Sequence, residues 1–227
     1  ALFNYLFARK HGGKFILRIE DTDQNRYISG AEEYIINSLK WSNIKVNEGV
    51  GVGGSFSPYR QSERKDIYKK YAEELVEKGH AYYAFDTPEE LEAMRQRLQD
   101  EKASSQQYNV ASRGEMKNSL TLSESDVKAL LDAGEPFVIR LKLPEDEKVE
   151  FDDIVLGHIS FHSSQLDDKI LFKSDGMPTY HLANVVDDHL MQISHVIRGS
   201  EWVNSTPSHI LLYRYLGWEN EMPEFAH

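Results

Sequence analysis

Glu20, Asp21 and Asp23 set three carboxylates around the hydroxyl of Thr22. They follow an apolar run, Phe15-Ile16-Leu17, and precede a strong helix start. The order reads as strand, acidic turn, helix. In an open α/β sheet, ligands bind outside the carboxyl ends of the strands. Acids and a hydroxyl placed there can hold a cation, an ammonium group or a ribose. The competing account is a solvated acidic turn.

Arg198 directly follows a predicted strand, His195–Ile197. A guanidinium there can hold a carboxylate bidentately, or it can pair with one of the chain's many acids. Tyr180 stands at a predicted helix start, where a phenol lines a pocket or packs as a core aromatic. Asn184 comes one turn later and faces the same side; its competing role is a local backbone hydrogen bond. Trp202 offers an aromatic plane near the same crevice, or packing under the next helix. If the strand ends belong to one sheet, Glu20–Asp23, Tyr180, Asn184 and Arg198 converge. Asp187-Asp188-His189 reads as a solvated helix segment, because adjacent residues on a helix do not point at one metal. His181 and His209 carry no ligand spacing. Gly51-Val52-Gly53-Gly54 lacks the Lys-Ser/Thr of a phosphate loop and reads as a flexible loop.

The elements that must position these groups follow from periodicity and punctuation. A helix ends near His11 with Gly12-Gly13 as its terminator, and the strand Lys14–Ile19 follows. Ser29-Gly30-Ala31-Glu32 has capping-box spacing and opens a helix through Ile35 and Leu39. Residues Asn47–Pro58 hold four glycines and read as a loop. Ser62 is expected to cap a helix with Ile67, Tyr71 and Leu75 on one face, closed by Gly79. The middle differs: an aromatic strand Ala81–Phe85, a strong helix start at Thr87-Pro88-Glu89-Glu90, and a polar, mobile stretch over 102–119. A helix ending at Gly134 comes next, then a half-exposed strand over 137–143. A hairpin over Val149–Val155 and Ile159–Phe161 completes the block. From Ile170 the α/β pattern resumes with a strand to Phe172, a turn over Ser174–Pro178 and the helix Leu182–Met191. The strand His195–Ile197 and the helix Pro207–Leu216 end the series.

The chain has 227 residues, 40% hydrophobic and 28% charged, with no cysteine and a net charge of −11. Disulfides and cysteine-ligated zinc are excluded, and a cytoplasmic location fits. No apolar run approaches the ~20 residues that span a bilayer. The negative charge disfavours a global field for nucleic acid, but its distribution is uneven. Residues 1–80 carry 13 Lys+Arg against 11 Asp+Glu, whereas residues 81–170 carry 10 against 19. Contact with nucleic acid must therefore use local basic residues. Ala1 falls inside an amphipathic pattern with no cap before it, and Phe225-Ala226-His227 has no terminator; both ends are expected to lack sequence.

Several stretches run in the order of a known family. They are Ala1-Leu2-Phe3-Asn4-Tyr5, Gly12-Gly13 through Arg18-Ile19-Glu20-Asp21-Thr22-Asp23, Pro58-Tyr59-Arg60-Gln61-Ser62-Glu63-Arg64, Lys173 through His189, and Val196-Ile197-Arg198 with Glu201-Trp202. On these the chain resembles the catalytic region of a bacterial-type glutamyl-tRNA synthetase, a class I aminoacyl-tRNA synthetase. The span from about residue 100 to 170 matches loosely. Glutaminyl and archaeal-type relatives usually show Asp-Asp-Thr-Asn at the acidic turn, so Glu20-Asp21-Thr22-Asp23 points to the bacterial glutamyl branch.

The resemblance implies an α/β, Rossmann-like class I catalytic domain interrupted by an α+β insertion that grips the tRNA acceptor end. Residues 1–80 would form its first half, 81–172 the insertion and 173–227 a truncated second half. It implies ATP-dependent ligation of L-glutamate to the 3′ end of tRNA(Glu) through glutamyl-adenylate, by positioning and electrostatics rather than side-chain acid–base work. By position, Glu20 would hold the substrate ammonium and Arg198 the side-chain carboxylate, with Tyr180 and Asn184 completing the pocket. Thr22, Glu201 and Trp202 would border ATP, and Asp23 and Arg26 the terminal adenosine. ATP is expected as substrate with Mg²⁺ carried on its phosphates, with no protein metal site and no zinc. A monomer with no membrane contact is expected. The family's His-x-Gly-His and Lys-Met-Ser-Lys-Ser signatures would lie before Ala1 and after His227. A polypeptide ending at these residues is therefore expected to form no adenylate at a useful rate. Two rivals remain: a short paralogue that glutamylates a modified tRNA base, which usually carries a cysteine-rich zinc site, and a non-catalytic tRNA-binding remnant.

Overall fold

A computed structural model describes residues 1–23 and 28–227. Helix α1 (Leu2–Lys10) leads to a short strand β1 (Ile16–Leu17), which pairs in parallel with β2 (Glu48–Gly49). The loop expected over 47–58 thus contributes a strand. Gly49 sits at φ 140, and a β-carbon there would collide with the Leu17 backbone; only glycine allows this close pairing. Between these strands runs α2 (Ala31–Trp41). Its N-cap is Gly30 with φ 81, and no side chain caps it, so the capping box expected from Ser29 does not form.

Helix α3 (Lys65–Glu77) follows a 3-10 turn over Gln61–Arg64. Ser62 does not cap it. Its backbone amide and hydroxyl both donate to Asp21, at 2.9 and 2.6 Å, which pins the acidic turn to the chain after Pro58. Strand β3 (Ala81–Ala84) and helix α4 (Pro88–Asp100) come next. Here the sequence signal holds: Thr87 and Glu90 form a complete capping box with Pro88 in the first turn.

Residues 102–119, expected to be mobile, are instead threaded by buried hydrogen bonds. The Asn118 amide donates to the Tyr108 hydroxyl (2.9 Å) and the Arg113 carbonyl (2.7 Å), and Arg113 donates to the Leu143 carbonyl (2.9 Å). Polarity there serves internal pairing rather than solvent. After α5 (Glu124–Asp132), strand β4 (Val138–Leu141) lies between β3 and β7 (Ile170–Phe172) in an antiparallel sheet. It is mostly buried, not half-exposed. Arg140 is tolerated inside because its guanidinium stacks 3.9 Å from the Tyr108 ring and donates to the Asp168 carbonyl at 3.0 Å.

The hairpin of β5 (Lys148–Asp153) and β6 (Gly157–His162) belongs to a different sheet, of order β6-β5-β9-β8. There β8 is His195–Ile197 and β9 is Glu224–Ala226, and β9 runs parallel to both β5 and β8. The middle block is therefore hydrogen-bonded to the last segment of the chain. Helices α6 (Tyr180–Leu190) and α7 (Thr206–Leu216) pack with α3 on one core. It includes Tyr68, Leu75, Ile139, Leu171, Leu182, Val186, Leu211 and Phe225, so it spans both larger sheets. Among the described residues, no helix is long and apolar enough to cross a membrane.

Asp187 overturns the expectation of a solvated segment at 187–189. Its side chain is fully buried and accepts from Arg64 Nε (2.8 Å), Tyr68 Oη (2.8 Å) and Gln61 Nε2 (3.0 Å), with Arg18 Nε 3.6 Å away. One carboxylate thereby joins α3, α6 and the end of β1. Replacing it by alanine leaves two buried guanidinium groups short of their counter-charge. Asp187→Ala is expected to cost about 3–5 kcal/mol, measured by denaturant unfolding, against about 1 kcal/mol for Tyr68→Phe.

Candidate active site

Two adjoining clefts open where β1, β8 and the start of α6 meet. The first, of about 430 Å³, is lined by Arg18, Glu20, Tyr180, Asn184, Arg198 and Trp202 among others. The second, of about 800 Å³, is lined by Asp21, Thr22, Asp23, Lys173 and His181 among others, and shares Glu20, Tyr180 and Trp202 with the first. Glu20, Tyr180, Asn184 and Arg198 therefore do converge. They do so across a boundary between two sheets, since β1 and β8 are not hydrogen-bonded neighbours among the described residues.

Local sequence sets each side chain. Gly176 supplies φ 80 in the turn after β7, and the Thr179 hydroxyl and amide donate to Ile170 and Leu171 carbonyls at 2.6 and 2.8 Å. That anchors the first turn of α6 and fixes Tyr180 at the cleft. The Tyr180 ring lies 4.8 Å from Trp202 and 5.5 Å from His209. Burial raises its hydroxyl pKa, opposed by the Arg198 charge and a hydrogen bond from Asn184; the phenol stays protonated near neutrality. Asn184 makes long-range rather than local bonds, its Oδ1 accepting from Gln61 (3.1 Å) and Arg18 (3.3 Å).

The two arginines of the first cleft differ in their partners. Arg18 is ion-paired with acids: Asp188 at 2.9 Å, Glu20 at 3.3 Å and Asp187 at 3.6 Å. Burial disfavours its charge, but Asp188, Asp187 and Glu20 outweigh burial and raise its pKa. Burial in turn raises the Asp188 pKa, against the pull of Arg18. Arg198 instead donates to Tyr180 Oη (2.6 Å), Thr206 Oγ1 (2.8 Å) and His227 Nε2 (2.8 Å). Among the described residues, it shares no ion pair with a carboxylate. The structural ion pair weighed for it from sequence is thus not what is found. A guanidinium in a cleft without a counter-ion is ready to take an anion from solution.

Thr22 and Asp23 line the second cleft, and Lys173 Nζ donates to the Thr22 carbonyl at 3.2 Å. Trp202 is partly exposed between the clefts. Glu201 lines neither cleft; its carboxylate folds back over Gly199, where a β-carbon would strike it. Arg26 lies outside the described residues. No group of three or more His, Asp or Glu among the described residues is arranged to hold a metal ion.

A family model for tRNA synthetases class I (E and Q), catalytic domain, matches residues 1–227. The chain belongs to that family. It is 65% identical over 227 residues to a glutamate–tRNA ligase of Amoebophilus asiaticus and 62% identical to one of Cytophaga hutchinsonii, covering all of this chain and 44% of each relative. Among solved structures, glutamate–tRNA synthetase of Elizabethkingia anophelis matches with TM-score 0.94 at 50% identity, over 100% of this chain and 45% of that one. A glutamate–tRNA ligase of Elizabethkingia meningosepticum, solved in complex with its amino acid, matches with TM-score 0.95 at 50% identity, over 100% of this chain and 44% of that one. The synthetase chain thus has the Rossmann-like class I catalytic fold, and it spans less than half the length of these relatives.

Sequence reasoning leaves Arg18, Gln61 and Asp188 without a site role, and it misses Thr206, His227 and Asp153. Arg18 has a signal, since it opens the same stretch as Glu20. The others meet the site only through tertiary pairing.

Under Tyr180, His181 Nδ1 lies 3.2 Å from His209 Nε2. Burial pushes the His181 pKa down to about 4 and that of His209 well below its ordinary value. The unfolded chain takes up protons at these rings below pH 6.5 that the folded synthetase domain refuses, so their contribution to stability falls as pH drops from 6.5 towards 4. In chemical denaturation at several pH values, His181→Asn is expected to flatten that fall by about 1–2 kcal/mol.

Proposed function

We propose that this chain is the catalytic part of a glutamate–tRNA ligase. The observation that carries the reading is Arg198: a cleft guanidinium bonded to neutral groups, in the same cleft as the Glu20 carboxylate. Glutamate presents an ammonium and two carboxylates. Glu20 holds the ammonium, and Arg198 takes the side-chain carboxylate in charge-assisted hydrogen bonds. The Tyr180 hydroxyl and Asn184 close the pocket around it. Glutamine carries no negative charge there and loses that pairing, which is the basis of discrimination.

The α-carboxylate of the bound glutamate attacks the α-phosphorus of ATP, forming glutamyl-adenylate and releasing pyrophosphate. The terminal ribose 2′-hydroxyl of tRNA(Glu) then takes the glutamyl group and AMP leaves. The chain's own contribution is positioning and electrostatic stabilisation, with no side chain acting as acid or base. Thr22 and Trp202 border the ATP site, and Asp23 approaches the terminal adenosine. Mg²⁺ would be carried by the ATP phosphates, where it would offset their charge. Residues 81–172 grip the acceptor end as an insertion between the catalytic segments 1–80 and 173–227. The hydrogen bonds from β5 to β9 couple that grip to the strand beside Arg198. A monomeric, cytoplasmic enzyme goes with this reading.

Charging of tRNA(Glu) by the full-length protein tests it. Arg198→Ala is expected to raise the KM for glutamate by about 100-fold or more, as expected for losing a charge-assisted pair, with little change in the KM for ATP. Glutamate should appear at the tRNA 3′ end. An unchanged glutamate KM in Arg198→Ala, or glutamate on an anticodon base, would overturn the assignment.

A further inference from the structure

Asp153 and His227 hold Arg198 from behind the cleft. Asp153 closes β5, and its Oδ1 accepts from the Val155 and Leu156 amides at 2.9 Å each and from the His227 amide at 3.3 Å. Its Oδ2 lies 2.6 Å from His227 Nδ1. Across the ring, His227 Nε2 lies 2.8 Å from Arg198 Nε and 3.3 Å from Thr206 Oγ1. Both the Asp153 and His227 side chains are fully buried.

This geometry permits one tautomer. Arginine Nε carries a hydrogen and no lone pair, so His227 Nε2 must accept. The ring hydrogen then sits on Nδ1 and is donated to Asp153. An imidazolium, or the other tautomer, would set N–H against N–H at 2.8 Å. Asp153 is ionised and able to accept that hydrogen. Burial would raise its pKa, but the hydrogen bond from His227 and the backbone amides outweigh burial and hold it below the usual carboxylate range.

We infer that Asp153 and His227 are positioning residues for amino-acid recognition, locking one imidazole tautomer so that Arg198 stays aimed at the substrate's side-chain carboxylate. The inference rests on the glutamate reading given above. The remaining Arg198 bonds, to Tyr180 and Thr206, are shared with the cleft wall and do not fix the Nε edge. That edge is set by His227 alone among the described residues, and His227 is set by Asp153.

Asp153→Asn separates this role from a structural one. The amide keeps Oδ1 for the three backbone donors and puts an NH₂ where Oδ2 stood. It now donates to Nδ1, moves the ring hydrogen to Nε2 and turns that nitrogen against Arg198. Flipping the amide would instead set NH₂ against three N–H groups.

In the full-length protein, Asp153→Asn is expected to raise the KM for glutamate by about 10–100-fold. The KM for ATP should stay within about twofold and the melting temperature within a few degrees. Glutamine at 227 cannot tautomerise, and its carbonyl can still accept from Arg198. Asp153→Asn added to His227→Gln should therefore cost little beyond His227→Gln alone, giving a strongly non-additive cycle. His227→Ala against His227→Gln makes the same comparison with Asp153 intact, and the alanine variant should have the higher glutamate KM. Additive costs, equal KM values for these two variants, or parallel rises in both substrates' KM would overturn the inference. Nitrogen-15 NMR of the histidine rings decides it without activity: His227 Nε2 should be unprotonated in the wild type and protonated in Asp153→Asn. A wild-type Nε2–H would overturn it, whereas a wild type that charges no tRNA with glutamate would overturn the preceding reading instead.

Discussion

Everything in the site hangs on a carboxylate that never meets solvent. Asp187 accepts from Arg64, Tyr68 and Gln61 and lies beside Arg18. A buried charge is tolerable only when its partners are complete, so these elements must sit together or not at all. The consequences run outward from it. Gln61 divides its amide between Asp187 and Asn184, and Arg18 does the same with Asp187, Asp188, Asn184 and Glu20. The first cleft's floor is thus the outer face of a network whose inner face is the core.

Such a floor gives the cleft a division of charge. Arg18 is spoken for by three acids, so it orients Glu20 and Asn184 but has little to offer an incoming anion. Arg198 is the reverse, fixed by neutral acceptors and sharing no ion pair with a carboxylate among the described residues. In a partly buried site that imbalance is stronger than in water, and it makes the pocket ask for a negative group at one particular place. Tyr180, kept protonated by burial, lines the same wall without adding a competing charge.

Much of this is legible in the sequence where the signal is local. Thr87-Pro88-Glu89-Glu90 caps its helix as written, because both partners lie within four residues. The strand His195–Ile197 and the α7 boundaries, with Pro207 inside the start and Gly217 after the end, are legible for the same reason. Ser29 and Ser62 mislead because a cap motif competes with other partners: Ser62 is taken by Asp21, and Gly30 turns the chain before Ser29 can act. Asp187-Asp188-His189 looks solvated because three polar residues in a row suit an exposed face. What buries Asp187 are donors more than 100 positions away, and no local rule reaches them. The same holds for residues 102–119, whose polarity is turned inward. Glu20, Tyr180, Asn184 and Arg198 can be found because strand ends and helix starts are themselves local features. Their assembly from two sheets cannot.

On the proposed reading, in which Arg198 takes a substrate carboxylate, the histidine behind it has a physical reason. A carboxylate placed directly on its Nε edge would orient it well, but it would also neutralise it and weaken the pull on a substrate anion. An imidazole lone pair accepts the same hydrogen bond without bringing a full charge to the contact. The acid is still present, one ring further back at Asp153, where it fixes the tautomer from the far side of the imidazole. Orientation and charge are thereby separated. The backbone pairing of β9 with β5 and with β8 supplies the distance between them.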